Sequence, residues 1–184
     1  MTTFEIIRAR AEENNGGPQG LEDRLAGITV KPPSEIAAMG DDRILSELSL
    51  RVFQSGFNWS VVQKKWPGFE EAFHGFDLGP NIFMSDDEFD EHLKNTAIVR
   101  HAKKILSFRD NAIFLSDLAK EHGSAAAFFA NWPVDDLVGL WEVMKKRGSR
   151  LGGATGQYSL RFLGKESFIL SRDVTAVLIS AGVI

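Results

Sequence analysis

The 184-residue chain contains no cysteine. Disulfides and thiolate metal sites are therefore excluded. Its four histidines, His74, His92, His101 and His122, share no ligand spacing. Each reads as a surface or satisfied interior histidine, so no metal and no cofactor is expected. Long apolar runs are also missing, and none approaches the ~20 residues that a membrane span needs. The start of the chain, "MTTFEIIRARAEENN", is charged and has no apolar stretch leading to a small-residue cleavage site. That is not the pattern of a signal peptide, and a cytoplasmic protein is expected.

What is present is ordinary for a globular domain: 43% hydrophobic and 25% charged residues, in a chain long enough to bury a core without staples. The net charge of −4 argues against a globally basic nucleic-acid binder. Its distribution is uneven. Between Lys145 and Arg172 seven basic residues face only Glu166, a local +6 that leaves −10 for the rest of the chain. A cationic face on an acidic body suits phosphate contact, and a solvated, charge-rich helix end is the other reading.

Residues 1–40 read as a helical N-terminal extension and 41–184 as an all-α domain. In the extension, Thr2 and Glu5 form a capping-box pattern, "NNGGPQG" stops the first helix, and "LEDRLAGI" suggests a second. In "KPPSEIAAMG" the paired prolines predict an extended turn before Ser34 caps another. Beyond Asp41 the spacing predicts a helix that turns Ile44, Leu45, Leu48, Val52 and Phe53 inward. Asn58 or Ser60 caps the next, which is expected to stop near "WPG". Ser85 opens a further helix, and one across 98–121 aligns Ile105, Phe108, Ala112, Leu115 and Leu118 before Gly123 ends it. Only "SFIL" (167–170) has any strand character.

Two stretches stand out. "FQSGFNWSVVQKKW" (53–66) interleaves aromatics with amides and a basic pair, fitting either an amphipathic core segment or one wall of a pocket for something flat. "MKKRGSRLGGATGQYSLRFLG" (144–164) reads as helix, basic cluster, glycine-bearing turn and helix. Gly148 is expected in a left-handed C-terminal position, and a new helix near Ala154 or Thr155. Glycine lets a phosphate reach backbone N–H groups at the second helix's N-terminus, with Lys146, Arg147 and Arg150 adding attraction. A plain connection between packed helices is the alternative.

Three blocks, in order and in register, resemble the type I DNA-3-methyladenine glycosylases of the helix-hairpin-helix base-excision superfamily. "QSGFNWSVVQKKWPGFEEAFHGFD" (54–77) is similar to the family's Q-x-G-(aromatic or Leu)-(Ser/Asn)-Trp segment. "AIVRHAKKI" (97–105) is similar to its I-x-R-H-x-x-K-I helix start, and "MKKRGSRLGGATGQYSL" (144–160) to its L-K-K-R-G…G-x-T…Y-S hairpin. The resemblance covers roughly residues 43–175. It implies an all-α helix-hairpin-helix glycosylase that hydrolyses the N-glycosidic bond of cationic alkylated adenine in double-stranded DNA. The damaged nucleotide is swung out of the stack and the bond breaks through an oxocarbenium-like sugar. With no obvious Schiff-base lysine, a monofunctional enzyme is expected.

Position by position, the resemblance makes Trp59 the residue stacked on the extruded base, with Gln54, Phe57 and Asn58 shaping the pocket. Gly148, Gly153 and Thr155 match the phosphate-gripping hairpin beside Lys146 and Arg147. Arg100 and His101 match the basic helix start, and Tyr158 is expected behind the hairpin. The departures are specific. Arg51 stands eight residues before the tryptophan, where the family carries a carboxylate. Glu47, one turn earlier, either reaches into the pocket as a catalytic carboxylate or pairs with Arg51. An N-terminal Tyr-His-Asp…Glu-Trp-Gly segment has no counterpart in residues 1–40, and the family's zinc site of two cysteines and two histidines cannot form. Where related enzymes place an aspartate after the hairpin, Ser171 occupies the slot as a helix cap, with Asp173 nearby as the second catalytic candidate.

The reading that follows is a DNA glycosylase with a rebuilt pocket. A non-catalytic DNA- or lesion-binding protein on the same scaffold is the alternative, and an all-α interaction module without a nucleic-acid role is a third.

Overall fold

A computed structural model describes residues 3–27 and 29–184. Among them are twelve α-helices and no strand, so "SFIL" is irregular. The helices are α1 (Thr3–Asn14), α2 (Pro18–Ala26), α3 (Pro33–Ala37), α4 (Asp41–Gln54), α5 (Trp59–Ala72), α6 (Leu78–Ile82), α7 (Asp86–Lys94), α8 (Ala102–His122), α9 (Ala125–Asn131), α10 (Leu137–Arg147), α11 (Ala154–Leu163) and α12 (Arg172–Ser180). None is long and apolar enough to cross a membrane.

The chain divides into two compact units. One contains the described residues up to Val30 together with Phe168–Ile184; the other runs from Lys31 to Ser167. The boundary thus falls before residues 31–40, which the sequence had grouped with the N-terminal extension, and it removes 168–184 from the body. In the smaller unit, α1, α2 and α12 bury no residue. Arg8 of α1 pairs with Glu22 of α2 at 3.0 Å. Ser171 caps α12 by accepting from the Val174 N–H. Thr2 of the capping-box pattern lies outside the described residues.

In the larger unit α4 is the central element, packed against α5, α8, α9 and α11. Its predicted inward set, Ile44, Leu45, Leu48, Val52 and Phe53, is fully buried. The second axis is α8, whose Ile105, Phe108, Ala112, Leu115 and Leu118 are equally buried. Between them Phe53, Phe69, Phe73 and Phe108 interlock, with Phe73 and Phe108 stacked at 3.7 Å between centroids.

Local chemistry explains most boundaries. Asn58 caps α5 by accepting from Ser60 N–H, Ser85 caps α7 by accepting from Glu88 N–H, and Ser124 caps α9. Gly123 ends α8 with φ 87°. Helix α1 ends at Asn14, where "NNGGPQG" was expected to stop it, and Pro32 is extended as the paired prolines predict. Pro18 and Pro33 each stand at the start of the next helix, since proline's fixed φ and missing donor suit the first turn. Three expectations are corrected. Ser34 lies inside α3, and Pro32 is its cap. Helix α5 runs through Pro67 to Ala72. There Phe69 is buried and a Cβ on Gly68 would lie 2.8 Å from the Ala97 carbonyl oxygen, so tertiary packing outweighs the lost backbone bond. Finally, α8 starts at Ala102, leaving 98–101 as an irregular lead-in that ends in the extended His101.

Candidate nucleic-acid interface

The end of α4, the turn after it and the first residue of α5 form one side of the site. The Asn58 cap fixes Trp59 at the first position of α5. Trp59 is 42% exposed, which rules out a core tryptophan. Its ring meets Tyr158 edge-on at 5.6 Å and Phe162 at 6.1 Å. Beside it lies a cavity of about 200 Å³ lined by Arg51, Gln54, Ser55, Gly56, Trp59, Ala154, Thr155 and Tyr158. Residues from the aromatic stretch and from the hairpin, some ninety positions apart, thus share one wall. A wider hollow of about 610 Å³ at Trp66, Pro67, Glu70 and Glu71 contains none of the expected site residues.

Phe57 and Asn58 do not line the cavity. Asn58 is occupied as a cap, and Phe57, 39% exposed, stands edge-on to His101 at 6.0 Å. His101 opens α8 with its Nδ1 buried and unpartnered. Arg100 beside it is exposed.

Arg51 is only 8% exposed. Its Nε donates to Glu47 and its Nη1 to the Gln54 side-chain oxygen, each at 2.5 Å, while the guanidinium lies 3.6 Å above the Phe162 ring centroid. The same group is 5.7 Å from the Trp59 ring centroid. The Glu47–Arg51 pair foreseen from i,i+4 spacing exists, but within the fold and braced by stacking. Glu47's carboxylate is committed to that pair, and it does not line the cavity. Asp173 sits exposed in the first turn of α12, in the smaller unit.

The hairpin between α10 and α11 is held by a residue that sequence reasoning passed over. Asn111 of α8 accepts from the Ser149 N–H at 2.7 Å and donates to the Ser149 carbonyl at 3.1 Å. Leu151 is buried beneath the turn. Gly148 is extended (φ −90°), not left-handed as expected. It is glycine for room, since a Cβ would lie 2.6 Å from the Leu151 side chain and 2.8 Å from the Met144 carbonyl oxygen. The positive φ values fall on Arg150 (62°) and Gly153 (60°). Gly153 caps α11 without any side-chain bond to the first N–H groups, and Thr155 stands in that first turn.

The formal +6 is reduced by the structure. Lys165 is buried and donates to the Ala130 carbonyl at 3.1 Å and to that of Trp132 at 2.5 Å, closing the end of α9. Arg147 makes a bidentate pair with Glu121 at 2.7 and 2.9 Å, which holds its guanidinium above its usual range. Lys145 pairs with Glu142 at 3.6 Å, and Arg172 belongs to the smaller unit. On the hairpin itself, Lys146 and Arg150 are exposed and without an ion pair among the described residues.

Lys104 was also missed. It is buried, 3% exposed, and donates to the Phe53 carbonyl at 3.2 Å and to that of Ser55, with its ammonium 4.5 Å over the Phe57 ring. Burial, with Arg150 nearby as a like charge, lowers it to about 8. The signal was present in the sequence: 104, 108, 111 and 115 lie on one helical stripe, so Lys104 and Asn111 are polar residues at buried positions. Without cysteine the chain cannot supply the two-cysteine, two-histidine zinc site that the resemblance implies.

Comparison with known proteins bears on the same segments. The family model for methyladenine glycosylase matches residues 36–145. A curated DNA-3-methyladenine glycosylase of Haemophilus influenzae is 30% identical over 70 residues, which span 38% of this chain and 38% of that relative. Among solved structures, a 3-methyladenine DNA glycosylase I superposes with a TM-score of 0.59 at 25% identity, covering 72% of this chain and 84% of that one. The Staphylococcus aureus 3-methyladenine DNA glycosylase I, solved for the structural basis of 3-methyladenine recognition, gives 0.61 at 22%, covering 78% and 85%. The all-α architecture is that of these glycosylases.

Proposed function

Because the chain belongs to the methyladenine glycosylase family, we propose that it hydrolyses the N-glycosidic bond of an alkylated base in double-stranded DNA, as a monofunctional base-excision enzyme of the cytoplasm. One observation carries this reading: the Trp59 cavity and the start of α11 share a wall through Ala154 and Thr155. A duplex gripped by phosphate at the α11 N-terminus would therefore have a flipped nucleotide beside the aromatic face. Trp59 stacks on the base, Arg51 and Gln54 frame it, and Tyr158 backs the tryptophan. Phe57 and Asn58 act on the pocket's turn rather than on the base.

Lys146, Gly148, Gly153 and Thr155 are assigned to the phosphate grip, with Arg147 in a reserve role because Glu121 engages it. Arg100 and His101 mark the flank. Glu47 is the carboxylate candidate for stabilising the sugar cation, through its contact with a cavity residue; Asp173, in the smaller unit, is given no role at the cavity.

The test is release of free base from methylated duplex DNA. Trp59→Ala is expected to lower release at least about fivefold, since stacking on a base contributes about 1–3 kcal/mol, while thermal stability changes little at a side chain 42% exposed. Undiminished release would remove Trp59 from the pocket. A second reading, lesion binding without catalysis, is favoured by one fact: Glu47 is committed to Arg51, and no carboxylate lines the cavity. Tight binding to methylated duplex with no base released would support it.

A further inference from the structure

We infer, resting on the glycosylase reading above but departing from its alkylated substrate, that the cavity selects a damaged base that is neutral and rich in hydrogen-bond acceptors over a cationic one, and that Arg51 makes the choice. Of the eight lining residues Arg51 alone is charged. Its guanidinium is held between Glu47, Gln54 and the Phe162 face, so it cannot swing away without losing two bonds and a stack. It stands 5.7 Å from the Trp59 ring, so a base stacked on that ring lies within a few ångströms of a fixed positive charge. A cationic base there is repelled; Glu47 offsets part of this from behind the guanidinium.

The donors point the same way. Nε and Nη1 are engaged, and Nη2 has no protein partner among the described residues. A guanidinium edge matches the carbonyl and ring-nitrogen acceptors of a purine such as hypoxanthine. A cationic adenine derivative leaves as a neutral molecule and needs no help from a cation. A neutral base leaves differently. The bond from the sugar carbon to the base nitrogen breaks and its electron pair goes to the base. Water adds to the sugar carbon, and the proton that water loses balances the anionic base. Arg51 stabilises the negative charge that develops on that base before it is protonated.

The experiment uses the full chain and three duplexes that differ at one position, holding hypoxanthine, 3-methyladenine or unmodified adenine. Affinity is measured by fluorescence anisotropy, and base release is expressed relative to the uncatalysed loss from each duplex. The hypoxanthine duplex is expected to bind about tenfold tighter than the 3-methyladenine duplex and to show the larger acceleration. Arg51→Gln alone leaves Glu47 unpaired inside the fold, so the double variant Arg51→Gln with Glu47→Gln is the control, expected to narrow the preference to about twofold. Equal or tighter binding of the 3-methyladenine duplex overturns the inference, as does a preference unchanged in the double variant. Release of 3-methyladenine without a hypoxanthine preference sinks the selection and leaves the glycosylase reading standing. A hypoxanthine binding preference with no base released from any duplex does the reverse.

Discussion

Lys104 shows how a single buried charge ties the site to the core. Two backbone carbonyls at the end of α4 accept from it, those of the core residue Phe53 and of Ser55, and Ser55 lines the cavity. Its proton is held only to about pH 8 in the folded chain, because burial penalises the ammonium. In the unfolded chain a lysine keeps its proton to about 10.4. Between those limits the unfolded state binds more protons, so Lys104's contribution to stability rises with pH through that window. Thermal unfolding of the parent and of Lys104→Met at pH 8 and pH 10 isolates this effect, because other titrations cancel in the difference. The parent is expected to gain on the variant by no more than about 1.4 kcal/mol per pH unit; a flat difference would mean that the buried amine stays charged. Arg51 makes the complementary point about legibility. Its pairing with Glu47 follows from spacing alone. Its burial and its stack on Phe162, 111 residues further along, depend on α11 lying against α4, which no local pattern encodes.

The helices were legible wherever a local rule decided them. Ser85, Asn58, Ser171 and Gly123 act where the sequence places them, because capping depends on a few neighbouring residues. Pro67 and Gly148 misled for the opposite reason: packing against Ala97 in one case and Leu151 in the other fixes the backbone. The hairpin is therefore an element whose shape is imposed from outside, and Asn111 is the main contact that imposes it. Asn111→Ala removes both bonds to Ser149 and leaves two backbone groups of a half-buried turn without partners. A loss of about 1–3 kcal/mol in thermal or denaturant unfolding is expected, together with weaker DNA binding from a residue assigned no DNA contact. Asn111→Asp keeps the acceptor for the Ser149 N–H and is expected to fall between the two. Unchanged DNA affinity in a destabilised Asn111→Ala protein would show that the turn holds its form without α8.

At the scale of the whole molecule, the sequence overstated the charge that meets DNA. Its seven clustered basic residues read as one face, yet Lys165 is buried, Arg147 and Lys145 are paired, and Arg172 lies in the other unit. Burial and pairing are decided by tertiary neighbours, so a charge count along the chain could not resolve them. The distinction is measurable through counterion release, since the logarithm of affinity falls with the logarithm of salt at about −0.9 per neutralised phosphate. Six effective cations would give a slope of about −5. The three that remain without an ion pair among the described residues, Lys146 and Arg150 on the hairpin and the half-buried Arg161 on α11, give at most about −3, and the helix N-terminus adds affinity without a releasable cation. DNA titrations across salt concentrations are therefore expected to show the shallower slope, with the chain's overall net charge of −4 opposing further non-specific contact. Lys146→Glu is expected to weaken binding to damaged and undamaged duplex alike and to flatten the slope by about 1, with the fold unchanged. A slope near −5 in the parent would mean that Arg147 leaves Glu121 on DNA and that the paired cations are recruited; an unaltered slope in Lys146→Glu would place the phosphate grip away from the hairpin.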